Sequence, residues 1–182
     1  MPKLSKSEIE KIKSIPQSEL AKIVLKTARM EQSVYDYIYI NYLEPEAGVQ
    51  KLFEKTKLEI SLLYLKSYKG YSEQLKLKNM LTECNKIINQ FKRTTKNKVL
   101  EADLILFVLQ YIFSYPEHFF GTAFVGFDYK VAQLLNKLIK IVKGQLHEDY
   151  LLEYQTDINR FLKILHKRSS HIDLVYDMPK EI

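Results

Sequence analysis

A chain of 182 residues with 46% hydrophobic residues is sized for one compact domain that buries most of its apolar surface. Its formal net charge is +6, and its single cysteine, Cys84, excludes an intramolecular disulfide and any cysteine-only metal cage. That sets the expectation of a reducing, cytoplasmic compartment. Five glycines and five prolines among abundant Leu, Ile, Lys, Glu and Tyr argue against a sheet-rich fold.

The opening Met1-Pro2-Lys3-Leu4-Ser5-Lys6-Ser7-Glu8 is polar and lacks the apolar core of a secretory signal. Ser5 followed by Glu8 has the form of a capping box, which predicts a short helix ending before Pro16. A second helix starts at Pro16 and Ser18-Glu19, with Leu20, Ile23, Val24 and Thr27 on one face and a break near Glu31. Tyr35, Ile38, Tyr39 and Tyr42 repeat the spacing in a third helix. Leu43-Glu44-Pro45 ends it, because the residue before proline disfavours helical geometry. The shared face of Tyr35, Tyr39 and Tyr42 predicts core packing, with Tyr37 pointing elsewhere and a stacking or groove-lining role as the alternative.

A longer helix follows from about Glu46 to Tyr68, with Val49, Leu52, Phe53, Thr56, Ile60, Leu63 and Tyr64 in one stripe and Gly70 beyond its end. The next, about Ser72 to Arg93, puts Leu77, Met80, Leu81, Cys84, Ile87, Ile88 and Phe91 on one narrow face. Cys84 therefore reads as a small core hydrophobe rather than a reactive thiol. Leu100 to Tyr115 is apolar almost all round and is expected to form the core. Its run from Leu104 to Leu109, continued by Tyr111, Ile112 and Phe113, is about half of the roughly 20 residues that a membrane span requires.

Pro116 to Phe127 is a loop with two glycines and four phenylalanines. Helical spacing returns with Val131, Leu134, Leu135, Leu138 and Val142 as far as Gly144. It returns again from Glu148 to Ser169, with Leu151, Tyr154, Ile158, Phe161, Leu162 and Leu165 inward. The last helix is acidic at its start and basic at its end, in accord with the helix dipole. A tail carries the chain to Met178-Pro179 and beyond. The expected fold is all-α: a single domain over 1–182 of about eight helices packed as antiparallel hairpins, in an irregular bundle or a short helical-repeat-like stack. No repeat of fixed length is visible in the sequence, which places a regular solenoid second.

Catalytic signatures are missing. No glycine precedes a Lys-Ser or Lys-Thr pair as in a phosphate-binding loop, and no Gly-x-Ser-x-Gly elbow occurs. His147-Glu148 lacks the second histidine of a zinc-protease helix, since Leu151 stands there. The residues three before His118, His147, His166 and His171 are Tyr115, Gly144, Lys163 and Arg168, which excludes the Glu-x-x-His pairs of di-iron bundles. The tail groups His171-Ile172-Asp173 and Asp177, near His166 and Arg168, are weak material for a metal or anion site. No catalytic residue, cofactor site or metal site is assigned.

Two surfaces stand out. Between Val49 and Lys98 there are twelve Lys or Arg against Glu54, Glu59, Glu73 and Glu83, a net of 12 − 4 = +8, which leaves −2 for the rest of the chain. Lys51, Lys55, Lys66 and Lys69, beside outward-facing Leu58 and Leu62, are expected to line up as a ridge. With Lys76, Lys92 and Arg93 they form the candidate phosphate-binding set. The excess of lysine over arginine argues against base reading and for a plain solvated face. The second surface is the aromatic loop: Phe119, Phe120, Phe124 and Phe127 either anchor a partner or fold back onto the central helix.

The chain resembles an uncharacterised bacterial family of small all-helical proteins, domain-of-unknown-function family 6155, over nearly its entire length. The resemblance rests on Leu4, Ser14-Ile15-Pro16-Gln17-Ser18-Glu19-Leu20, Tyr39, Asn41, Leu43, Pro45 and Lys86-Ile87-Ile88-Asn89-Gln90-Phe91-Lys92. It continues in Ala102-Asp103-Leu104-Ile105-Leu106 and His171-Ile172-Asp173. It departs at Pro16 and Ile172, where more polar residues are expected. The resemblance implies an all-α domain and carries no activity, cofactor or catalytic residue.

Three functional readings follow. The first is a non-enzymatic protein-binding or scaffold module with an unidentified protein partner, using the phenylalanine loop or the lysine ridge. The second is a weak, sequence-independent nucleic-acid binder using the lysine-rich helix pair. The third is an enzyme with an unrecognised site drawn from His118, Asp128, His166, His171 and Asp173.

Overall fold

The computed structural model describes residues 4–182; Met1, Pro2 and Lys3, at the head of the polar N-terminal stretch, lie outside the described residues. Among the described residues there are nine α-helices and no strand. They are α1 (Lys6–Lys13), α2 (Gln17–Met30), α3 (Gln32–Ile38), α4 (Pro45–Leu65), α5 (Glu73–Thr95), α6 (Lys98–Ile112), α7 (Val125–Gln145), α8 (Asp149–Arg168) and α9 (Asp173–Tyr176). No helix among them is long and apolar enough to cross a membrane. The chain divides into two compact units, with the boundary inside α4 between Val49 and Gln50.

The first unit is a helical arm. Ser5 and Glu8 form the expected capping box: Glu8 N donates to Ser5 Oγ at 3.3 Å and Ser5 N donates to Glu8 Oε2 at 2.7 Å. Pro16, in extended geometry, precedes α2. α3 runs directly into a π-helical turn, Tyr39–Leu43, and Glu44 takes non-helical geometry before Pro45 opens α4. The predicted burial of this region does not occur. α1, α2 and α3 contain no buried residue, and Ile40 alone of the large apolar side chains in the arm is enclosed. Tyr35 stacks on Tyr39 at 5.7 Å but stays 44% exposed, and Tyr42 is 72% exposed. Helical periodicity marks which face is apolar. It does not say that anything covers that face.

The second unit, from Gln50, holds the core. Phe53 of α4 meets Phe91 of α5 edge-on, and Lys66, just past α4, bonds Glu83 of α5, so these helices run antiparallel. Tyr64 of α4 stacks on Tyr111 of α6 at 3.8 Å, and Lys57 lies over the Phe107 ring, so α4 and α6 run parallel. α6 and α8 are also parallel: Asp103 accepts from Tyr154, 51 residues on, Asp157 accepts from Gln110 at an offset of 47, and Phe113 stacks on Phe161. α5 and α7 are parallel too, since Lys137 donates to Asn89 at an offset of 48 and Lys78 lies against Gly126. The result is two layers, α4, α6 and α8 in one and α5 and α7 in the other, joined by successive antiparallel hairpins. Parallel neighbours therefore meet at sequence offsets of about 48 residues, although no repeat of that length is visible in the sequence.

Of the narrow face predicted for α5, Leu77, Met80, Leu81, Cys84, Ile88 and Phe91 are enclosed and Ile87 is half-buried. Burial pushes the Cys84 thiol up to about 12, so it stays protonated at neutral pH. The expected result is no reaction of the native protein with a chromogenic disulfide such as DTNB and full labelling after guanidinium unfolding; rapid native labelling would contradict this burial.

The aromatic loop folds back onto the core. Phe120 stacks on Phe113 at 5.1 Å and lies beside Phe127 at 5.5 Å, extending the column that Phe113 forms with Phe161. Phe120 is 3% and Phe127 1% exposed, so neither is available to anchor a partner. Phe119 is half-buried against Tyr115, and Phe124 alone of the four is exposed. A polar clamp fixes the loop. Asp128, buried in the first turn of α7, accepts from Gly121 N at 2.7 Å and from Ser169 Oγ at 3.0 Å, through one carboxylate oxygen. Its other oxygen is buried without a hydrogen-bond partner. Burial raises its pKa against the pull of these two bonds.

The tail also orders. α9 buries Val175, with Ile172 and Met178 beside it, and Gln155 and Asn159 of α8 hold the Ile182 backbone.

Candidate functional site

Parallel packing of α5 and α7 brings two polar stripes face to face. On α5, Thr82, Asn85, Asn89 and Lys92 follow one another at spacings of three and four. On α7, Tyr129 and Lys130, Gln133, Asn136 and Lys137, and then Lys140 recur turn by turn on one face. Between them lies a cleft of about 570 Å³, with Leu81, Leu134, Ile141 and Leu174 among its apolar lining. α7 rises about 1.5 Å per residue, so its lining residues from Tyr129 to Gln145 extend over roughly 24 Å.

Two of the lining lysines, Lys92 and Lys137, belong to a charge cluster. Glu101 of α6 is fully enclosed, with its side chain 1% exposed, and three ammonium groups reach it: Lys98 at 2.9 Å, Lys137 at 3.0 Å and Lys92 at 3.7 Å. Lys92 comes from α5 and Lys137 from α7, so a single carboxylate joins three helices. Burial alone would raise the Glu101 pKa, but the hydrogen bonds and charges of Lys98 and Lys137 outweigh it and hold the carboxyl below its ordinary value. Burial lowers Lys137, with Lys92 and Lys98 adding to the effect against the opposing pull of Glu101. One negative charge serves three positive ones, and Lys130 and Lys140 add to the same groove. Such a surface attracts anions.

Of the seven basic residues expected to form a phosphate-binding set, only Lys92 lines the groove. α4 ends at Leu65, so Lys66 and Lys69 do not continue a ridge from Lys51 and Lys55 along one helix. Lys66 bonds Glu83 at 2.8 Å, Lys76 bonds Glu73 at 2.6 Å, and Arg93 is exposed. Lys130, Lys137, Lys140 and the buried Glu101 are absent from that expected set. The signal that could have found them is the three-and-four spacing of polar residues on α7, read together with the up-down-up path that sets α7 beside α5.

The groups considered for an unrecognised enzyme do not converge on one exposed centre. Asp128 is buried in its clamp, and His166 Nε2 lies 3.1 Å from the Pro179 carbonyl. His118 is exposed against the Phe119 ring, and His171 and Asp173 are exposed. Among the described residues no group of three or more His, Cys, Asp or Glu is placed to hold a metal ion. No protein-family model matches the chain, and no curated protein or solved structure does either.

Proposed function

We propose that this chain is a non-enzymatic binding module that holds single-stranded nucleic acid, without reading its sequence, in the groove between α5 and α7. The observation that carries the reading is the convergence of Lys92, Lys130, Lys137 and Lys140 on one elongated cleft, above a single buried carboxylate. Lysine supplies point charges for phosphates rather than the planar forks that read base edges. Asn85, Gln133 and Asn136 add hydrogen bonds that any sugar-phosphate backbone can use, and Tyr129, 43% exposed, offers a ring on which a base can stack. A cleft between two adjacent helices, whose axes lie about 8–10 Å apart, suits a single strand better than a duplex.

The protein-partner reading loses its aromatic anchor with the burial of Phe120 and Phe127 and rests instead on the uncovered arm. A cytoplasmic setting accords with the lone buried thiol. The resemblance to the bacterial all-helical family adds no activity to this reading.

Fluorescence anisotropy with a labelled oligonucleotide of about 15 nucleotides tests the proposal. Three to four phosphate contacts predict an affinity loss of about 30-fold between roughly 50 and 200 mM salt. Lys130→Glu with Lys140→Glu is expected to weaken binding at least about tenfold at unchanged thermal stability. Equal binding by the charge-reversed variant, or preference for polyglutamate over the oligonucleotide, would contradict the assignment.

A further inference from the structure

We infer that the N-terminal arm, residues 4–49, is a self-association surface whose occupant is the arm of a second copy of this chain. The inference is independent of the groove and stands on the arm's own burial and charge.

α1, α2 and α3 have 8, 14 and 7 residues and bury no side chain. Helices of that length are marginal in water without tertiary packing, and ordering each residue costs on the order of 1–2 kcal/mol in backbone entropy. Apolar material is nonetheless present and uncovered. On α2, Ile23, Val24 and Leu25 are 49%, 47% and 58% exposed, and Tyr42 and Leu43 of the π-helical turn are 72% and 60% exposed. A segment with this composition needs a cover to persist as helix.

Charge identifies the cover. Residues 4–30 carry Lys6, Lys11, Lys13, Lys22, Lys26 and Arg29 against Glu8, Glu10 and Glu19, a net of 6 − 3 = +3. Residues 31–49 carry Glu31, Asp36, Glu44 and Glu46 with no lysine or arginine, a net of −4. The arm is therefore basic in its first part and acidic in its second, with nearly equal magnitudes. A two-fold interface places residue i on residue j and j on i, so one such arm complements another twice. Lys26 and Arg29 of α2 would meet Glu31 and Glu46 of the second copy, while Ile23 and Val24, neighbours on the apolar face of that helix, cover Tyr42 and Leu43. An anionic lipid surface would instead face the acidic second part and be repelled by it.

Sedimentation velocity of the full chain, from about 1 to about 100 micromolar, tests the inference. The expected result is a species of twice the 21.5 kDa chain mass that dissociates on dilution. Lys26→Glu with Arg29→Glu, and separately Glu31→Lys with Glu46→Lys, are each expected to give monomers. An equimolar mixture of the two variants is expected to recover the dimer. Ile23→Ser with Val24→Ser is a second route to the monomer that leaves the charges in place. Circular dichroism of each variant checks that the Gln50–Ile182 body stays folded. A wild-type monomer at the highest concentration, dimers that survive both charge reversals, or a mixture that stays monomeric would each overturn the inference.

Discussion

Gly121→Ala is expected to destabilise the protein by about 4 kcal/mol and to lower its thermal midpoint by about 10 °C. Gly121 has φ +73°, in the left-handed region where a side chain costs roughly 1–2 kcal/mol. A Cβ there would stand 2.1 Å from the Arg168 carbonyl oxygen, which is backbone and cannot swing aside. Relief requires the loop to move away from α8. That movement would break the Gly121 N bond to Asp128 and disturb the stacking of Phe120 on Phe113. Thermal denaturation followed by circular dichroism checks the prediction. A loss below about 1 kcal/mol would show that the loop is not clamped in this way.

Glu101→Gln is expected to separate stability from binding. The substitution removes the only negative charge serving Lys92, Lys98 and Lys137, at a cost of about 2 kcal/mol. The cost stays moderate because all three lysines keep part of their side chains in water and can turn outward. The same change raises the net positive charge at the groove. Oligonucleotide affinity should rise about fivefold, and the salt slope should steepen by about 0.7 if one more phosphate is engaged. A variant that loses both stability and affinity would mean that Glu101 shapes the groove rather than offsetting its charge.

The two buried carboxylates also respond to acid with opposite sign. Glu101 has a folded pKa below its unfolded value of 4.5. Its contribution is present above that value and is lost as pH falls through the folded pKa. Asp128 has a folded pKa above its unfolded value of 3.8, so its contribution is present below 3.8 and is lost as pH rises through the folded pKa. Glu101→Gln should therefore flatten the acid limb of the stability profile.

Residue spacing foretells the body of the protein well. Leu77, Met80, Leu81, Cys84, Ile88 and Phe91 on α5, and Tyr154, Ile158, Phe161, Leu162 and Leu165 on α8, are buried as their periodicity requires, with Ile87 and Leu151 half-buried beside them. Those faces are long and find partners in the hairpins that chain connectivity supplies. α2 has as clear an amphipathic pattern, yet Ile23 and Val24 remain exposed, because periodicity carries no information about what lies opposite.

The groove is not legible in the sequence, for a different reason. Counting charge along the chain from Val49 to Lys98 gathers residues that belong to different surfaces, such as Lys66 paired with Glu83 and Lys92 at the Glu101 cluster. The groove instead combines residues about 48 positions apart, as Asn89 and Lys137 are. Nothing local marks that pairing. It emerges only once α6 carries the chain back and α7 lies parallel to α5. Glu101 was unmarked as well, since a glutamate in the first turn of a helix reads as an ordinary dipole partner until burial is known.

Titration of an unlabelled oligonucleotide into ¹⁵N-labelled protein, followed by amide chemical shifts, tests the groove assignment most directly. The predicted result is a contiguous set of perturbed amides on α5 and α7, centred on Asn85, Lys92, Gln133, Lys137 and Lys140. Perturbations confined to the arm or to the Lys51 to Lys69 stretch, or none at low salt, would contradict it.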